Sequence, residues 1–280
     1  MVDLFPASND ITTSAPDSVT SQPARAQPPV LALVNDLLFA TRIADAVRGQ
    51  GGAPVLAATA DEFRQGLERW PVLILLDLHA IPSDQWLLEV RRAKALPQSR
   101  LIPIYAFGSH VDTETLKLAR QAGCDHVWAR SRFVEELSQV VAAAIDPPVT
   151  YPEGWDDQPS ELFLQGVALF NAGQFYKQHD IFEQHWMEDP RPIRDLYQGV
   201  LQIGVALHHV ETGNYRGAVK MLRRGLPRLR SLPPVCQTLD VATLRRAARA
   251  IHDELLALGP ERIGEFPAER LRAVKLRLVD

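Results

Sequence analysis

Five short apolar runs, separated by stretches of helical period, are the feature that most constrains the fold of this chain. The runs are four to seven residues long. Strands that alternate with helices form a parallel sheet with helices on both faces. We therefore predict a five-stranded, doubly wound α/β domain over residues 29–146. The predicted strands are residues 30–34, 54–58, 72–76, 101–107 and 126–129, and the predicted helices are residues 37–49, 60–69, 83–95, 112–122 and 132–145.

The remaining residues divide into a tail, a linker and a second domain. A chain of 280 residues is longer than one core needs. Residues 1–28 are rich in Ser, Thr, Pro, Ala and Asp and cannot bury enough apolar surface to offset ordering entropy, so we predict a disordered tail. Residues 147–159 hold four prolines and are predicted to be a linker. A small bundle of paired helical hairpins is predicted for residues 160–259, followed by a basic tail over 260–280.

Local signals place the helix ends in this second half. Asp240 is the expected N-cap of the last helix and Gly259 its expected end, while Pro227 is expected to end or kink the fourth helix. Gly-Gln-Phe at 173–175 is repeated as Gly-Asn-Tyr at 213–215, which is typical of helical hairpins with a glycine turn. The predicted helices are residues 160–171, 175–188, 191–211, 215–230 and 241–257.

Composition excludes a membrane-spanning protein. Hydrophobic residues make up 46% of the chain, and no apolar run approaches the roughly 20 residues that a bilayer span requires. No signal peptide is visible, since the first residues include acids and lack a basic start followed by an apolar stretch. Cys124 and Cys236 have no metal-type or redox-type spacing. We therefore expect a cytoplasmic protein.

The charge is unevenly distributed along the chain. Residues 1–189 contain 14 Lys and Arg against 25 Asp and Glu, and residues 190–280 contain 16 against 9. Such an asymmetry favours a nucleic-acid surface, two domains that attract each other, or solvated helix faces. The fourth predicted helix of the second half concentrates the basic residues, and the same three interpretations apply to it. Its basic stripe is Arg216, Lys220, Arg223, Arg224, Arg228 and Arg230.

Polar residues follow the predicted strands of the first domain. In a doubly wound sheet, ligands bind at the carboxyl ends of the strands. Asp36 follows the first strand, Asp77 the third, Ser109 the fourth and Arg130 the fifth. Two carboxylates could hold Mg²⁺, which prefers oxygen ligands, and an arginine could contact a phosphoryl oxygen.

With these residues in these places, the first domain resembles a response-regulator receiver domain. The resemblance implies that Asp36 and Asp77 hold Mg²⁺, that Asp77 accepts a phosphoryl group, and that Arg130 contacts it. Ser109, one position past the hydroxyl position of the family, is a second candidate for a phosphate contact. The fifth residue after Pro103, and the further 22 residues to Arg130, keep the family spacing.

Several identities depart from the receiver pattern. Asn35 replaces an acid, Gly108 replaces a hydroxyl residue, and Arg130 replaces a lysine. Phosphorylation-driven switching needs a hydroxyl drawn toward the phosphate, because a two-state element must be biased by contacts present in one state only. Two interpretations stay open: a phosphorylated switch, or a degenerate receiver that serves as a docking surface.

A second ordered set of residues marks the helical half. Phe170-Asn171-x-Gly173-x-Phe175 is followed by His179, Glu183 and Trp186, then Gln198, and then His208-His209 and Gly213-Asn214. Over residues 160–230 this order resembles the helical family catalogued as domain of unknown function 309. The resemblance implies a helical fold and no particular activity.

His179 and Glu183 lie one helical turn apart on a predicted apolar face with Phe182. A hydrogen-bonded pair that fixes helix packing is one interpretation. A transition-metal site formed by His179, Glu183 and His208, or by His209 in its place, is another. General acid–base chemistry in a cleft is the third.

Together these patterns favour a regulatory or interaction protein, with a degenerate receiver-like domain joined to a helical docking or output module. We expect protein partners and assign no catalytic residue; the oligomeric state stays open. One alternative is a metal-dependent enzyme that uses His179, Glu183 and a histidine of the third helix. A second alternative is nonspecific nucleic-acid binding through the basic stripe.

Overall fold

The first half of the chain is a five-stranded parallel sheet with helices on both faces. The computed structural model describes residues 27–279, so the predicted tail, residues 1–28, lies outside it except for its last two residues. The strand order is β2-β1-β3-β4-β5, the flavodoxin-like order of a doubly wound sheet. The elements are β1 (Pro29–Leu33), α1 (Leu37–Gly49), β2 (Ala53–Ala57), α2 (Ala60–Glu68), β3 (Leu73–Asp77), α3 (Ser83–Ala95), β4 (Ile104–Gly108), α4 (Thr113–Ala122), β5 (His126–Ala129) and α5 (Arg130–Ile145).

The central strand explains why this half folds as predicted. Every residue of β3 is buried, because helices cover both faces of the sheet. A strand buried on two faces is a continuous apolar run in the sequence, as Leu73–Leu76 is. The predicted fourth strand began too early, at residue 101. Ile102 N donates to Ser99 O in a turn, and the strand begins at Ile104.

The second half is a bundle of antiparallel helices. Consecutive helices α6 to α10 pack on one another in chain order. Helices α8 and α9 pack closely, since a Cβ at Gly199 would lie 2.5 Å from Leu229 Cδ2. The elements are α6 (Glu161–Asn171), α7 (Lys177–Glu188), α8 (Arg194–Glu211), α9 (Tyr215–Leu229), β6 (Val235–Cys236), β7 (Leu239–Asp240), α10 (Val241–Leu258), a 3₁₀ helix (Pro260–Glu265) and α11 (Ala268–Arg272).

Two expectations for this half were wrong. A short antiparallel hairpin of β6 and β7 interrupts the helices, and Leu278 bridges to Leu239 beside it. Strands of two residues show no period in a sequence, so the pattern could not reveal them. Pro227 does not end α9, which continues to Leu229, and a kink at Pro227 stays a prediction. The expected caps are confirmed: Asp240 accepts from Thr243 N at 2.8 Å, and Gly259 follows α10.

The two halves contact each other at the amino-terminal edge of the sheet. Arg230, directly after α9, donates to the carbonyl oxygens of Ala144 and Ile145, at the end of α5. Trp70, just before β3, packs its ring 4.6 Å from the ring of His252 on α10. Basic residues of α9 therefore dock onto the sheet half. Among the described residues, no helix is long and apolar enough to cross a membrane.

Candidate functional site

Asp77 lies at the carboxyl end of β3, and its carboxylate is almost fully buried. Arg130 Nη2 is 3.1 Å from Oδ1 and 3.0 Å from Oδ2 of this carboxylate. The backbone N–H of His79 donates to Oδ1 at 3.0 Å. A buried carboxylate needs such partners, because an uncompensated charge in the interior costs several kcal/mol. The structure therefore pairs the predicted phosphoacceptor with the predicted phosphate contact.

Arg130 is held in place by its position and by aromatic rings. It is the first residue of α5, whereas the sequence pattern placed it at the end of the fifth strand. Its guanidinium carbon lies 5.3 Å from the ring centroid of Phe39, within cation–π range. Phe39 stacks on Phe107, which stacks on Phe133 of α5. The arginine side chain is 38% exposed, so it reaches from solvent to a buried carboxylate.

His79 lies beside Gly108 and between two carboxylates. Its Nδ1 is 3.7 Å from Asp77 Oδ1, and its Nε2 is 3.5 Å from Asp112 Oδ2. A Cβ added to Gly108 would lie 3.3 Å from His79 Cε1 and 3.2 Å from Leu78 Cδ1. Hydrogen bonds from Thr115, and more weakly the charge of His79, lower the pKa of Asp112. The neighbours thus leave no room for a larger side chain at Gly108 unless they shift.

The residues at this edge fit Mg²⁺ poorly. Asp36 is the N-cap of α1, and its Oδ1 accepts from Leu38 N at 2.9 Å and from Phe39 N at 3.1 Å. Both oxygens of Asp77 already accept from Arg130, and the guanidinium neutralises the carboxylate charge in place of a metal cation. Between residues 27 and 279, no three His, Cys, Asp or Glu side chains are grouped as a metal site would require. The Mg²⁺ site stays a prediction from the resemblance.

The fourth predicted contact at this edge, Ser109, is half-buried and follows β4 directly. Its carbonyl oxygen accepts from Asp112 N at 3.2 Å in the turn that leads into α4. The backbone of Ser109 therefore shapes the loop that carries Asp112 toward His79.

The opening residues of α7 face differently from the prediction. His179 is half-exposed, and its Nδ1 lies 3.2 Å from Asp180 Oδ1 rather than beside Glu183. Tyr176 places its ring 5.2 Å from that of His208. Within residues 27–279, His179, Glu183 and His208 do not come together as a metal cluster.

Gln178, one position earlier, takes the buried place expected for His179. Its side chain is fully buried and donates to Phe175 O at 2.9 Å and to Leu201 O at 3.3 Å. Gly204 on α8 makes room for it, since a Cβ there would lie 2.3 Å from Gln178 Nε2. Phe175 and Phe182 are buried as predicted, and Gln178, at i+3 from Phe175, completes the same face. The polar residue that fixes packing is therefore Gln178.

The motif residues of the helical half mainly fix turns and the C-terminal segment. Asn171 Nδ2 donates to Leu276 O at 2.9 Å, and Leu276 N donates to Asn171 Oδ1 at 2.8 Å. Gly173 has φ +76°, which favours glycine at the turn after α6. Asn214 caps α9 through Gly217 N and lies 3.3 Å from His209 Nδ1. The side-chain amide of Asn171 thus pairs with Leu276 as a strand would.

Trp186 and Gln198 occupy less central places. The guanidinium of Arg194 lies 4.9 Å from the centroid of the Trp186 ring, and Gln198 is half-buried on α8. These contacts position the ends of α7 and α8 relative to each other.

Sequence reasoning missed a buried polar network in this half. Tyr197 stacks on His185 with ring centroids 3.9 Å apart, and its hydroxyl donates to Asp189 Oδ2 at 3.3 Å and lies 2.8 Å from Gln237 Nε2. Burial raises the pKa of Tyr197 to about 12, and hydrogen bonds from Arg191 lower the pKa of Asp189. Burial also lowers the pKa of His185. The network joins α7 and α8 to the β6–β7 hairpin.

Residues 163–221 match the model of the domain of unknown function DUF309, as the motif order predicted. An uncharacterised protein of Aquifex aeolicus strain VF5 is 24% identical over 109 residues, which are 39% of this chain and 31% of the relative. The matched part thus spans about a third of the length of that relative.

Solved response regulators resemble the first half of the chain. They include an orphan response regulator of H. pylori (17% identity, TM-score 0.36, covering 43% of this chain and 98% of that one). A response regulator from Thermotoga maritima has 17% identity and TM-score 0.37, and a putative one from Chloroflexus aurantiacus J-10-fl has 20% and 0.38; each covers 42% of this chain and 98% of its own. The strand order of the chain itself carries the fold assignment.

Proposed function

We propose that this chain is a regulatory protein in which the receiver-like half is a docking platform for partner proteins, and the helical half is the output module. The observation that carries the proposal is the position of α5. This helix begins with Arg130, bonded to Asp77, and ends at the carbonyls of Ala144 and Ile145, which accept from Arg230 of the helical half. A helix of 16 residues spans about 24 Å, so α5 joins the two edges of the sheet.

The surroundings of Asp77 favour binding of a protein partner over phosphorylation. Leu37 and Leu38 at the start of α1, and Val111 before α4, are strongly exposed. All three follow strands at the carboxyl edge, and a contiguous exposed apolar patch there would mark an interaction surface. The helical half contacts the opposite edge, so a partner reaches this surface without displacing the bundle.

The proposed coupling is mechanical. A partner carboxylate or arginine that competes for Arg130 or Asp77 removes the bond that holds the first turn of α5. A bistable element responds only when the two states differ in their contacts, and the Asp77–Arg130 pair supplies that difference. A shift of α5 then changes the bonds that its last carbonyls make with Arg230.

Two measurements test the proposal. Incubation with acetyl phosphate and Mg²⁺, followed by intact-mass analysis, should show no phosphoryl adduct on Asp77. Asp77→Asn should accelerate hydrogen exchange at the end of α5 and in α9 around Arg230. Asp84→Asn, an exposed first-turn carboxylate of α3, is the matched control and should leave both segments unchanged.

An adduct that is present in the native chain and absent from Asp77→Asn would show that phosphorylation is the input and would overturn the docking version. Unchanged exchange in α9 of Asp77→Asn would overturn the coupling through α5. Partner binding itself is then tested by whether Leu38→Asp abolishes the interaction that the native chain makes.

A further inference from the structure

A cleft of about 280 Å³ lies between the two halves, on the side opposite Asp77. Helices α2 and α3 of the sheet half form one wall, and α9 of the bundle forms the other. The cleft lies away from the Asp77–Arg130 pair, so ligand binding in it can be tested whether or not a partner docks at that pair. Its charged lining is Arg64, Arg92, Arg223 and Glu68, and its apolar lining includes Trp70 and Leu96.

Arg223 is the most unusual of these groups. Its side chain is nine-tenths buried, and among residues 27–279 its Nε has no hydrogen-bond partner. Its nearest acid is Glu68, whose carboxylate is 3.7 Å away and 83% exposed. A buried donor without a partner costs about 1–3 kcal/mol. Burial also lowers the pKa of Arg223, which indicates that its charge is poorly compensated.

The other two arginines are held in a pair by one buried acid. Arg64 Nε lies 3.4 Å and Arg92 Nη1 lies 3.8 Å from the same oxygen of Glu89. Arg64 also pairs with the exposed Asp61. An arginine carries five N–H donors in a rigid fork, so both keep donors free to face the cleft. Asp61 and Glu89 together balance the charges of these two arginines, so Arg223, whose nearest acid is the exposed Glu68, carries the least compensated charge in the cleft.

The apolar lining sets the other requirement on a ligand. Leu96 is exposed at the mouth of the cleft, whereas Trp70 is buried against His252. Water occupies about 30 Å³ per molecule in the liquid, so the cleft holds more volume than a bare inorganic anion requires. Ligand sites of this kind combine an apolar wall with a few convergent polar groups.

We propose that this cleft binds a small phosphomonoester, with its phosphate on Arg64, Arg92 and Arg223 and its organic group on Leu96 and Trp70. A phosphate dianion presents three charged oxygens, one for each guanidinium, whereas a carboxylate presents two. Because Arg64 and Arg92 belong to the sheet half and Arg223 to the bundle, the bound phosphate bridges the halves. Ligand binding therefore stabilises their docking by mass action.

Phenyl phosphate is the probe, titrated into the full-length protein by isothermal calorimetry at low ionic strength. We expect saturable binding at one site per chain, with inorganic phosphate and phenol each weaker. Arg92→Gln is the test variant, since Arg92 is half-exposed and Arg64 remains within 3.4 Å of Glu89. A charge-assisted hydrogen bond contributes about 1.5–3 kcal/mol, so Arg92→Gln should weaken binding about tenfold or more. Arg91→Gln, on the exposed side of the same helix, is the matched control and should bind as the native chain does.

Absence of saturable binding would overturn the proposal, and so would equal affinities of Arg92→Gln and Arg91→Gln. Inorganic phosphate that binds as tightly as phenyl phosphate would overturn the assignment of the apolar wall. Hydrogen exchange supplies a second measurement. Saturating phenyl phosphate should slow exchange around Glu68 and in α9 together; slowing on one side only would refute the bridge.

Discussion

Removal of Arg130 should destabilise the sheet half more than removal of the acid to which it binds. The Asp77 side chain is 2% exposed and the Arg130 side chain is 38% exposed, so the pair is buried on one side only. Arg130→Met leaves a carboxylate in the interior with the His79 N–H as its remaining donor. Asp77→Asn leaves an arginine that water already reaches.

The size of this asymmetry follows from the two limits for ion pairs. Breaking a buried pair costs about 3–5 kcal/mol, and exposed pairs contribute about 0–1 kcal/mol. Partial exposure of Arg130 places Arg130→Met between these limits, at about 2–3 kcal/mol, and Asp77→Asn near about 1 kcal/mol. Adding Asp77→Asn to Arg130→Met removes the stranded charge, so the double variant should be more stable than Arg130→Met alone.

Hydrogen exchange resolved by peptide is the suitable assay, because it reports on the sheet half separately from the bundle. For β3 and α5 amides, a loss of about 2–3 kcal/mol corresponds to exchange that is about 30- to 150-fold faster. Equal costs for the two single variants would refute the reasoning. A double variant less stable than Arg130→Met would also refute it, since the stranded carboxylate would then not be the cause.

Three further predictions concern the helical half and the contact between the halves. Asn171→Ala removes two hydrogen bonds to Leu276, so hydrogen exchange in the C-terminal segment should become faster by the factor expected for a loss of about 2 kcal/mol in local stability. The control Asn35→Ala, in an exposed loop, should leave exchange in that segment unchanged. Trp70 has φ +53°, a conformation that favours glycine, so Trp70→Gly should be more stable to urea than Trp70→Ala by about 0.5–1 kcal/mol. In most positions alanine is the more stable of the two, and that result at Trp70 would contradict a strained backbone. Burial lowers the pKa of His252, so the unfolded chain binds a proton more readily than the folded chain does. The free energy of unfolding should therefore be highest above about pH 6.5, the pKa of an unperturbed histidine, and should decrease as the pH falls below it. His252→Phe should flatten this decline in pH-dependent urea titrations, whereas His110→Phe, at an exposed position, should preserve it.

The sheet half was predictable because its decisive feature is local. A strand covered on both faces must be apolar throughout, and helices between strands impose the parallel order. The same topology brings the carboxyl ends of strands together, which is why Asp77 and Arg130 could be placed at one site. The role of Asp36 could not be decided from the sequence, because one side chain has two possible uses. Asp36 suits a metal site and a helix cap equally well in sequence, and the backbone N–H groups of α1 use it as the cap.

The helical half shows where sequence patterns cease to decide. The polar residue that α7 buries depends on Gly204, 26 positions from Gln178, which leaves room for Gln178 beside the buried Phe175 and Phe182. No local pattern contains that information. The Tyr197–Gln237 contact and the Asn171–Leu276 pairing likewise join distant segments. The family motif contains Asn171, but the partner of its side chain could be found only in three dimensions.

Recognition of main-chain oxygens at the contact between the halves has a consequence for mutational tolerance. Arg223 and Arg230 donate to carbonyls of Glu68, Ala144 and Ile145, and every amino acid supplies that acceptor. Replacements at these three positions would leave the acceptors unchanged, whereas replacement of either arginine removes the donors. Among homologues, we therefore expect residues 68, 144 and 145 to vary in identity, whereas the two arginines of the bundle should be retained.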